Sequence, residues 1–261
     1  ENWDKAIEYS TKVIEDKYLF LSSAVDIYTG QQTFYDYMWS NDLATEIIWK
    51  IGFTTTSYGG ALGSIFLNYN YQSYTPDYVP SSWVLDLYSE NDMRYNAFFT
   101  EMTTGYSHGL TWPLLTKYYG NESFLSSNIL HVSMPKVFRL SEQYLIRAEA
   151  YCRKGEYTKA GDDITTLRKA RYTTYTSTSI SAKNWLQTIS DERVRELYME
   201  GFRLNDLKRW NMGFTRASQT SSAKEGSALK VEASDPLFVW PIPQHEMNIP
   251  GSNMQPNESN R

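Results

Sequence analysis

Hydrophobic residues recur at helical spacing in three parts of this chain, residues 1–20, 139–169 and 184–211. Apolar side chains three and four positions apart share one side of an α-helix, so these parts predict helices with one buried face. In the first two parts the apolar positions are Trp3, Ala6, Ile7, Val13, Ile14, Leu140, Tyr144, Ala148, Tyr151, Cys152, Ala160, Ile164 and Leu167.

The middle part predicts an antiparallel pair of helices. The first covers residues 139–154, Gly155 ends it, and the second begins at Tyr157. Glycine is the usual residue just past the end of a helix. The pair carries the pattern Tyr144-x2-Arg147-Ala148-x2-Tyr151, followed by Ala160.

This alternation of large and small residues resembles a tetratricopeptide (TPR) repeat. Trp3-x2-Ala6 resembles Tyr157-x2-Ala160, which makes residues 1–17 a candidate second helix of another repeat. Because a single hairpin cannot bury its own apolar face, stacked neighbours are needed. The alternative is an ordinary helical hairpin.

Helical periodicity is lost between residues 53 and 124, where Ser, Thr, Asn, Gly and Pro interrupt the chain. A strand-like run at 42–53 precedes this segment, and one short helix is predicted at 81–90, capped by Ser81 or Ser82. Ten Tyr and two Trp lie here. Long loops are usually functional or disordered, and such an aromatic content argues against disorder.

These patterns predict one structural domain made of two sequence parts. Residues 1–52 and 125–261 form a TPR-like helical scaffold with an extended C-terminal segment, and residues 53–124 form an aromatic-rich loop region that binds ligand. Within the scaffold, residues 172–182 are predicted as a loop, 213–235 as a polar linker and 236–250 as extended chain.

Composition and charge exclude several classes of protein. The formal net charge is −5 and no Lys/Arg run reaches five residues, which argues against nucleic-acid binding. Apolar runs are far shorter than a membrane-spanning helix requires. The single Cys, Cys152, rules out an intrachain disulfide and is expected to be a small buried residue. The three His lack metal-ligand spacing, so we predict no metal and no cofactor.

Gly105-Tyr106-Ser107-His108-Gly109 matches the G-x-S-x-G motif of α/β-hydrolases. That motif requires a strand before the serine and a helix after it, whereas Thr111-Trp112-Pro113 follows here. A turn within a loop is therefore favoured, and a hydrolase that uses Ser107 or a carboxylate pair is kept as an alternative.

Charged residues of both signs are dense between positions 191 and 210. Helical spacing allows pairs three and four residues apart. Acid–base chemistry is one interpretation, and a block of ion pairs that joins neighbouring helices is the favoured one. The members of this predicted scaffold block are Glu192, Arg193, Glu196, Asp206 and Arg209.

The aromatic residues of the loop region are the candidate ligand-binding residues. A flat apolar ring with a polar edge suits carbohydrate, because sugar C–H groups lie against the ring while hydroxyl groups form hydrogen bonds. The alternative for any one residue is that it fixes a loop to the helices. The candidates are Tyr58, Tyr69, Tyr71, Tyr74, Tyr78, Trp83, Tyr106 and Trp112.

Three blocks in the same order resemble the C-terminal portion of the SusD/RagB family of nutrient-binding outer-membrane lipoproteins. They are Arg139-Leu140-Ser141-Glu142-x-Tyr144-Leu145-Ile146-Arg147-Ala148-Glu149-Ala150, then Glu192-Arg193-x-x-Glu196-Leu197-x-x-Glu200-Gly201-x-Arg203-x-x-Asp206-Leu207-x-Arg209-Trp210, and Pro241-Ile242-Pro243-x-x-Glu246.

The resemblance implies an all-α, mainly helical SusD-like fold in which TPR-type helix pairs carry long irregular loops. It implies a non-enzymatic protein that captures glycans, or sometimes peptides, and delivers them to a SusC-like TonB-dependent transporter. It also implies a surface-exposed place at the outer membrane, through an N-terminal lipid anchor that lies outside this chain. A TPR scaffold for protein partners is the remaining alternative.

Overall fold

The computed structural model describes residues 2–106, 109–175, 177, 179–215, 230–251 and 253–260. Backbone contacts divide the chain into two compact units, Glu1–Glu200 and Gly201–Arg261. The helices are α1 (Trp3–Ile14), α2 (Phe34–Asn41), α3 (Ser64–Leu67), α4 (Ser82–Leu85), α5 (Arg94–Phe98), α6 (Glu122–Leu125), α7 (Leu140–Arg153), α8 (Tyr157–Lys169), α9 (Trp185–Leu197), α10 (Arg203–Trp210) and α11 (Gln244–Met247).

Short antiparallel strand pairs accompany the helices. The strands are β1 (Ile27–Thr29), β2 (Gln32–Thr33), β3 (Ile47–Lys50), β4 (Phe99–Thr103), β5 (Thr111–Leu115), β6 (Lys136–Arg139), β7 (Phe214–Thr215) and β8 (Lys230–Val231), paired as β1–β2, β3–β6, β4–β5 and β7–β8. The mainly helical fold class is thus confirmed.

The helical part of the first unit is built around α7, which packs against α1, α8 and α9. Ala148 and Ala160 are fully buried where α7 meets its neighbours, and small side chains let helices approach closely. Gly155 joins α7 to α8 with a φ of +79°, the left-handed conformation of a helix C-terminal cap. The helical hairpin is present as predicted, and its assignment to the TPR class stays a prediction.

Helix α1 is shorter than the predicted helix over residues 1–20. Asn2 caps it, since its Oδ1 accepts a hydrogen bond from the Lys5 N–H at 3.0 Å. The helix ends at Ile14, and two residues later the Asp16 carboxylate accepts a bond from the Tyr18 N–H at 2.8 Å. This local turn competes with continued helix, because Asp readily bonds the backbone two residues on.

The segment 53–124 contains more regular structure than the sequence predicted. Strands β4 and β5 form a hairpin with five paired positions, from Phe99 opposite Leu115 to Thr103 opposite Thr111. Helix α4 begins after Ser81, whose side chain makes no capping bond. The main core of the first unit draws on this segment and on α2, through Tyr35, Met38, Trp39, Phe66, Leu67, Phe98, Phe99, Leu114, Leu115 and Tyr118.

The predicted helical region 184–211 is interrupted between α9 and α10. Met199 and Gly201 both adopt positive φ there, at +57° and +90°. In the second unit, Leu207, Val231 and Phe238 form a small buried cluster. The predicted extended segment 236–250 instead includes a 3-10 turn at Pro236–Phe238 and the short helix α11. Of the predicted linker 213–235, residues 216–229 lie outside the described residues.

Gly63 lies where the backbone before α3 passes Tyr118. A Cβ added there would sit 1.9 Å from the Tyr118 carbonyl oxygen, so the backbone would have to move. We therefore expect Gly63→Ala to lower the free energy of unfolding by roughly 1–3 kcal/mol. Gly60→Ala is the matched control, because a Cβ at Gly60 meets nothing within 4 Å. Equal urea midpoints for the two variants would contradict this account.

Candidate functional site

Residues 68–75, named here the tyrosine loop, fold back on themselves. The Thr75 N–H donates to the Asn68 carbonyl at 2.7 Å, and the Asn70 N–H donates to the Ser73 carbonyl at 3.2 Å. Between these bonds, Tyr69 and Tyr74 face each other as an antiparallel bridge. The loop is therefore a small hairpin with its own backbone bonds.

The tip of the tyrosine loop holds Tyr71 in a rare conformation. The Asn70 Oδ1 accepts hydrogen bonds from the N–H groups of Gln72 at 3.1 Å and Ser73 at 2.9 Å. This turn places Tyr71 at a φ of +70°, which few non-glycine residues adopt. The side chain of Tyr71 is 92% exposed, so no packing of the ring explains its position.

The tyrosine loop is fixed to the β4–β5 hairpin. The Tyr74 N–H donates to the Thr103 carbonyl at 3.3 Å, and the Gly105 N–H donates to the Tyr74 carbonyl at 2.8 Å. The Tyr106 hydroxyl donates to the Pro76 carbonyl at 2.7 Å, just beyond the loop. Tyr106 thus helps to hold the loop in place.

Three predicted tyrosines meet at this loop. The ring of Tyr69 lies 5.0 Å from that of Tyr74 and 6.4 Å from that of Tyr71, measured between centroids. Tyr69 is about half exposed, whereas Tyr74 packs partly against the main core. The ring of Tyr69 therefore contacts the anchored ring of Tyr74, and the ring of Tyr71 neighbours that of Tyr69, tilted by 60° to it. An exposed tyrosine ring suits the flat apolar face of a ligand.

The other predicted aromatics lie elsewhere. Trp112 belongs to β5 and its Nε1–H donates to the Pro80 carbonyl at 2.9 Å. The Tyr58 ring contacts Phe124 at 5.7 Å, and Tyr78 is exposed. Trp83 is half-buried on α4. The structure described here does not assign these four to one surface.

Sequence reasoning missed a polar cavity of about 300 Å³ between α2 and the residues that follow β5. Burial is the main cause that raises the pKa of Tyr74, and the electrostatic effects of Tyr119, which lines this cavity, and of Tyr69 raise it further. Most of the residues that line the cavity carry a hydrogen-bonding side chain, which suits hydroxyl-rich ligands. They include Gln32, Asp36, Ser40, Asn96, Thr116, Tyr119 and Glu122.

Two of the residues that line this cavity, Trp39 and Lys117, are buried. Trp39 lines it, and its Nε1–H has no hydrogen-bond partner among the described residues. Lys117 also lines the cavity, and its Nζ lies 4.1 Å from the centre of the Trp39 ring. Burial lowers the pKa of Lys117 to about 8, although Glu200 at 2.6 Å pulls in the other direction. Because Trp39 and Lys117 are far apart in the sequence, only the folded structure reveals this pair.

A network of buried ion pairs lies beneath the first unit's surface. Glu196 is its centre: Oε1 accepts bonds from Arg139 and Arg171, both at 2.9 Å, and Oε2 accepts from Arg94 and Arg171, both at 3.0 Å. Glu46 also accepts from Arg139 at 2.6 Å and from Arg171 at 2.9 Å. The network therefore joins α9 to β3, β6, α5 and the end of α8.

The carboxylates of this network are held ionised. Burial opposes ionisation of Glu192, but the guanidinium groups of Arg195, Arg94 and Arg168 outweigh it and hold its pKa well below the ordinary value. Burial is likewise outweighed at Glu196, by Arg171 and Arg139 first, and its pKa is also well below the ordinary value. A carboxylate that stays ionised and fully bonded suits a structural role better than acid–base catalysis.

The remaining members of the predicted scaffold block are placed as follows. Arg193 is buried on α9. Asp206 and Arg209 belong to the second unit, where Arg209 Nε donates to Asp206 Oδ1 at 3.0 Å. The sequence pattern placed all five on one helical region, whereas α9 and α10 fall in different units.

These depressed pKa values predict loss of stability in acid. Glu192, Glu196 and Glu200 all have a folded-state pKa below the ordinary 4.5. Their stabilisation is complete above that value and is lost as pH falls further, because the unfolded chain then binds more protons. We expect the free energy of unfolding in urea to change little from about pH 7 to 5.5 and to decline steeply from about pH 4.5 to 3. A flat profile over the lower range would contradict this.

The described residues contain no cluster of His, Cys, Asp or Glu that could hold a metal ion. In the same part of the chain, no helix is long and apolar enough to cross a membrane. Ser107 and His108 lie outside the described residues. Cys152 is buried, and burial raises the pKa of its thiol to about 12, which makes it unreactive.

The fold is a mainly helical scaffold that carries an irregular, tyrosine-bearing loop region. The sequence model of the SusD family matches residues 67–258, and the chain belongs to this family. A curated relative, the starch-binding protein SusD of Bacteroides thetaiotaomicron, is 32% identical over 163 residues, which cover 61% of this chain and 27% of the relative.

Solved structures agree on the fold. A SusD superfamily protein from Bacteroides thetaiotaomicron superposes with a TM-score of 0.76 at 25% identity, over 98% of this chain and 56% of the other. Surface glycan-binding protein A from the same organism gives 0.69 at 19% identity, over 98% of this chain and 59% of the other, a likeness of fold alone. The chain thus spans little more than half the length of these solved relatives.

Proposed function

We propose that this chain binds oligosaccharide without breaking it down, at the tyrosine loop and the adjoining polar cavity. The bound glycan is delivered to a SusC-like TonB-dependent transporter at the outer surface of a bacterial cell. The full-length protein is held at the outer membrane by an N-terminal lipid anchor. The name of the curated relative, a starch-binding protein, supports a glycan as the ligand class.

The observation that carries this proposal is Tyr71. A nearly fully exposed aromatic residue gains no packing energy, yet Asn70 and the surrounding backbone bonds hold it at positive φ. When a residue is held in a rare backbone conformation and its side chain does not pack, a function for that side chain is indicated. A ring presented beside Tyr69 fits the apolar face of a sugar.

The neighbouring cavity supplies the second part of sugar recognition. Gln32, Asn96 and Thr116 line it, and they offer both donors and acceptors to hydroxyl groups. Tyr119 lines the cavity and raises the pKa of Tyr74 in the tyrosine loop, which supports the proposal that one oligosaccharide chain contacts both. Several weak contacts along such a chain add to a useful affinity.

Non-catalytic binding is favoured by the bonds that the acidic side chains already make. Glu192 and Glu196 are saturated with guanidinium bonds and are buried, so neither reaches a glycosidic bond. The two acids in the cavity wall also accept bonds, Asp36 from Thr33 and Glu122 from Gln32. A retaining or inverting glycosidase needs one carboxyl group that is protonated near neutral pH. The alternatives, a hydrolase dependent on Ser107 and a TPR scaffold for protein partners, lack a comparable observation.

Affinity electrophoresis of the purified chain in gels that contain single polysaccharides tests the proposal, with thin-layer chromatography of the same mixtures. We expect retardation by at least one glycan and no new product on the plate. Product formation would overturn the non-catalytic part, and a Ser107→Ala variant would then show whether the serine is responsible. No retardation by any glycan, together with binding of a peptide, would overturn the ligand class.

A further inference from the structure

A second cavity, of about 320 Å³, lies at the end of α8 in the first unit. Its wall includes Arg168, Tyr172, Tyr175, Arg195 and Asn91. Its volume is at the lower end of the range for small-molecule sites. None of these residues belongs to the tyrosine loop or to the cavity lined by Tyr119.

Arg195 lines this cavity with an unused hydrogen-bond donor. Its side chain is only 10% exposed. Nη2 donates to Glu192 Oε2 at 2.7 Å and Nη1 donates to the Leu87 carbonyl at 3.3 Å. Nε has no acceptor among the described residues. Nε has almost no accessible surface, so the donors available to a ligand in the cavity are the second hydrogens of Nη1 and Nη2, which these bonds leave unused.

Positive charge converges on one carboxylate beside this cavity. Arg168 Nε and Arg195 Nη2 both donate to the same Oε2 atom of Glu192, each at 2.7 Å. Arg94 Nη1 occupies the other oxygen at 2.8 Å. Arg94 also pairs with Asp92 and Glu196, so other carboxylates balance its charge. Arg168 and Arg195 both line the cavity, and no acidic side chain is among its described lining residues. The cavity wall therefore favours an anion.

The rest of the wall suits a planar anion attached to a ring. The Tyr172 and Tyr175 rings lie 5.7 Å apart, and the Arg168 guanidinium lies 6.0 and 5.5 Å from their centres. Thr173 Oγ1 donates to Asn91 Oδ1 at 3.0 Å, which leaves the Asn91 amide hydrogens for a ligand acceptor. Guanidinium and amide donors beside aromatic faces match a carboxylate on a sugar ring.

We propose that this cavity binds the carboxylate of an acidic sugar unit, a uronic acid, with Arg195 and Asn91 donating to the carboxylate. The sugar part of this proposal rests on the proposed glycan binding, whereas the carboxylate part stands on the cavity alone. A glycan ligand would then carry acidic units, and the protein would bind these units at a site separate from the tyrosine loop.

Titration calorimetry of the full chain with glucuronate, glucose and acetate tests this proposal. We expect glucuronate to bind at least tenfold more tightly than glucose or acetate, and more weakly as salt is raised. Arg195→Lys keeps a positive charge for Glu192 but removes the guanidinium, and should weaken glucuronate binding about tenfold. Asn91→Ala changes an exposed residue and leaves the buried ion pairs intact, and it should weaken glucuronate binding several-fold.

Lys159→Gln is the control for general charge, because Lys159 is an exposed residue of α8 outside the cavity. Equal affinity for glucuronate and glucose, or a loss in Lys159→Gln as large as in Asn91→Ala, would overturn the proposal. Acetate that binds as well as glucuronate would overturn the sugar part. Carboxylate binding in a chain that binds no neutral glycan would defeat the proposed function and leave this cavity as an anion site.

Discussion

Glu196→Gln is expected to lower the free energy of unfolding by about 3–5 kcal/mol. The substitution removes the charge at the centre of the buried network and turns an amide N–H toward guanidinium donors. Arg94, Arg139 and Arg171 would each lose a charged partner while remaining fully buried. Each arginine keeps other carboxylate partners, but the buried network would be short of one negative charge, and such an imbalance is among the largest effects of a single substitution.

Urea unfolding at neutral pH measures this effect, with Glu8→Gln as the matched control. Glu8 pairs with Lys12 on the exposed side of α1, where both side chains are more than half exposed. Pairs of that kind contribute little, so the control should match the parent within about 0.5 kcal/mol. A loss below about 1 kcal/mol in Glu196→Gln would show that the network is not what holds these elements together.

Tyr71→Ala is expected to weaken glycan binding about tenfold, or about 1.4 kcal/mol, with no change in the urea midpoint. The ring is almost wholly exposed, so the fold loses no packing when it is removed. Tyr69→Ala should act in the same direction, because its ring lies beside that of Tyr71. Calorimetry with the best-bound glycan separates the effect on binding from any effect on stability.

Tyr18→Ala is the control for the loss of an exposed ring. Tyr18 follows α1 and is 70% exposed, and it belongs neither to the tyrosine loop nor to the polar cavity. Its removal should leave glycan affinity unchanged. Equal losses in Tyr18→Ala and Tyr71→Ala would contradict a specific role for the loop.

The sequence was informative where contacts are local. The spacing of Leu140, Ala148 and Ala160 predicted α7 and α8, because each helix face is encoded within a few turns. The β4–β5 hairpin was missed, since Pro113 lies within β5 and breaks the usual strand signal. Proline is tolerated there because β5 has a partner on one side only.

Long-range charge pairing lay beyond sequence reasoning. Helical spacing identified Glu192 and Glu196 as charged neighbours on one helix, yet their partners Arg94, Arg139 and Arg171 come from other elements. No local pattern encodes such partners. The spacing also grouped Asp206 with these residues, although it belongs to the second unit.

The candidate site also combines features that the sequence indicated with long-range contacts that it did not. Composition marked the tyrosines of the loop region as candidates, but it could not separate Tyr71 at the loop tip from Trp112, which is bonded to Pro80 in a strand. Gln32 and Asn96 line the polar cavity from distant parts of the sequence. Their role depends on packing that only the structure shows, and the assignment of the whole site stays a prediction.

The most direct test of glycan capture at the tyrosine loop is a crystal structure of this chain with the glycan that it binds best. We predict an intact oligosaccharide with a sugar ring against Tyr71 and Tyr69 and hydroxyl groups bonded within the cavity beside Tyr119. An intact glycan bound elsewhere, with the tyrosine loop empty, would contradict the account.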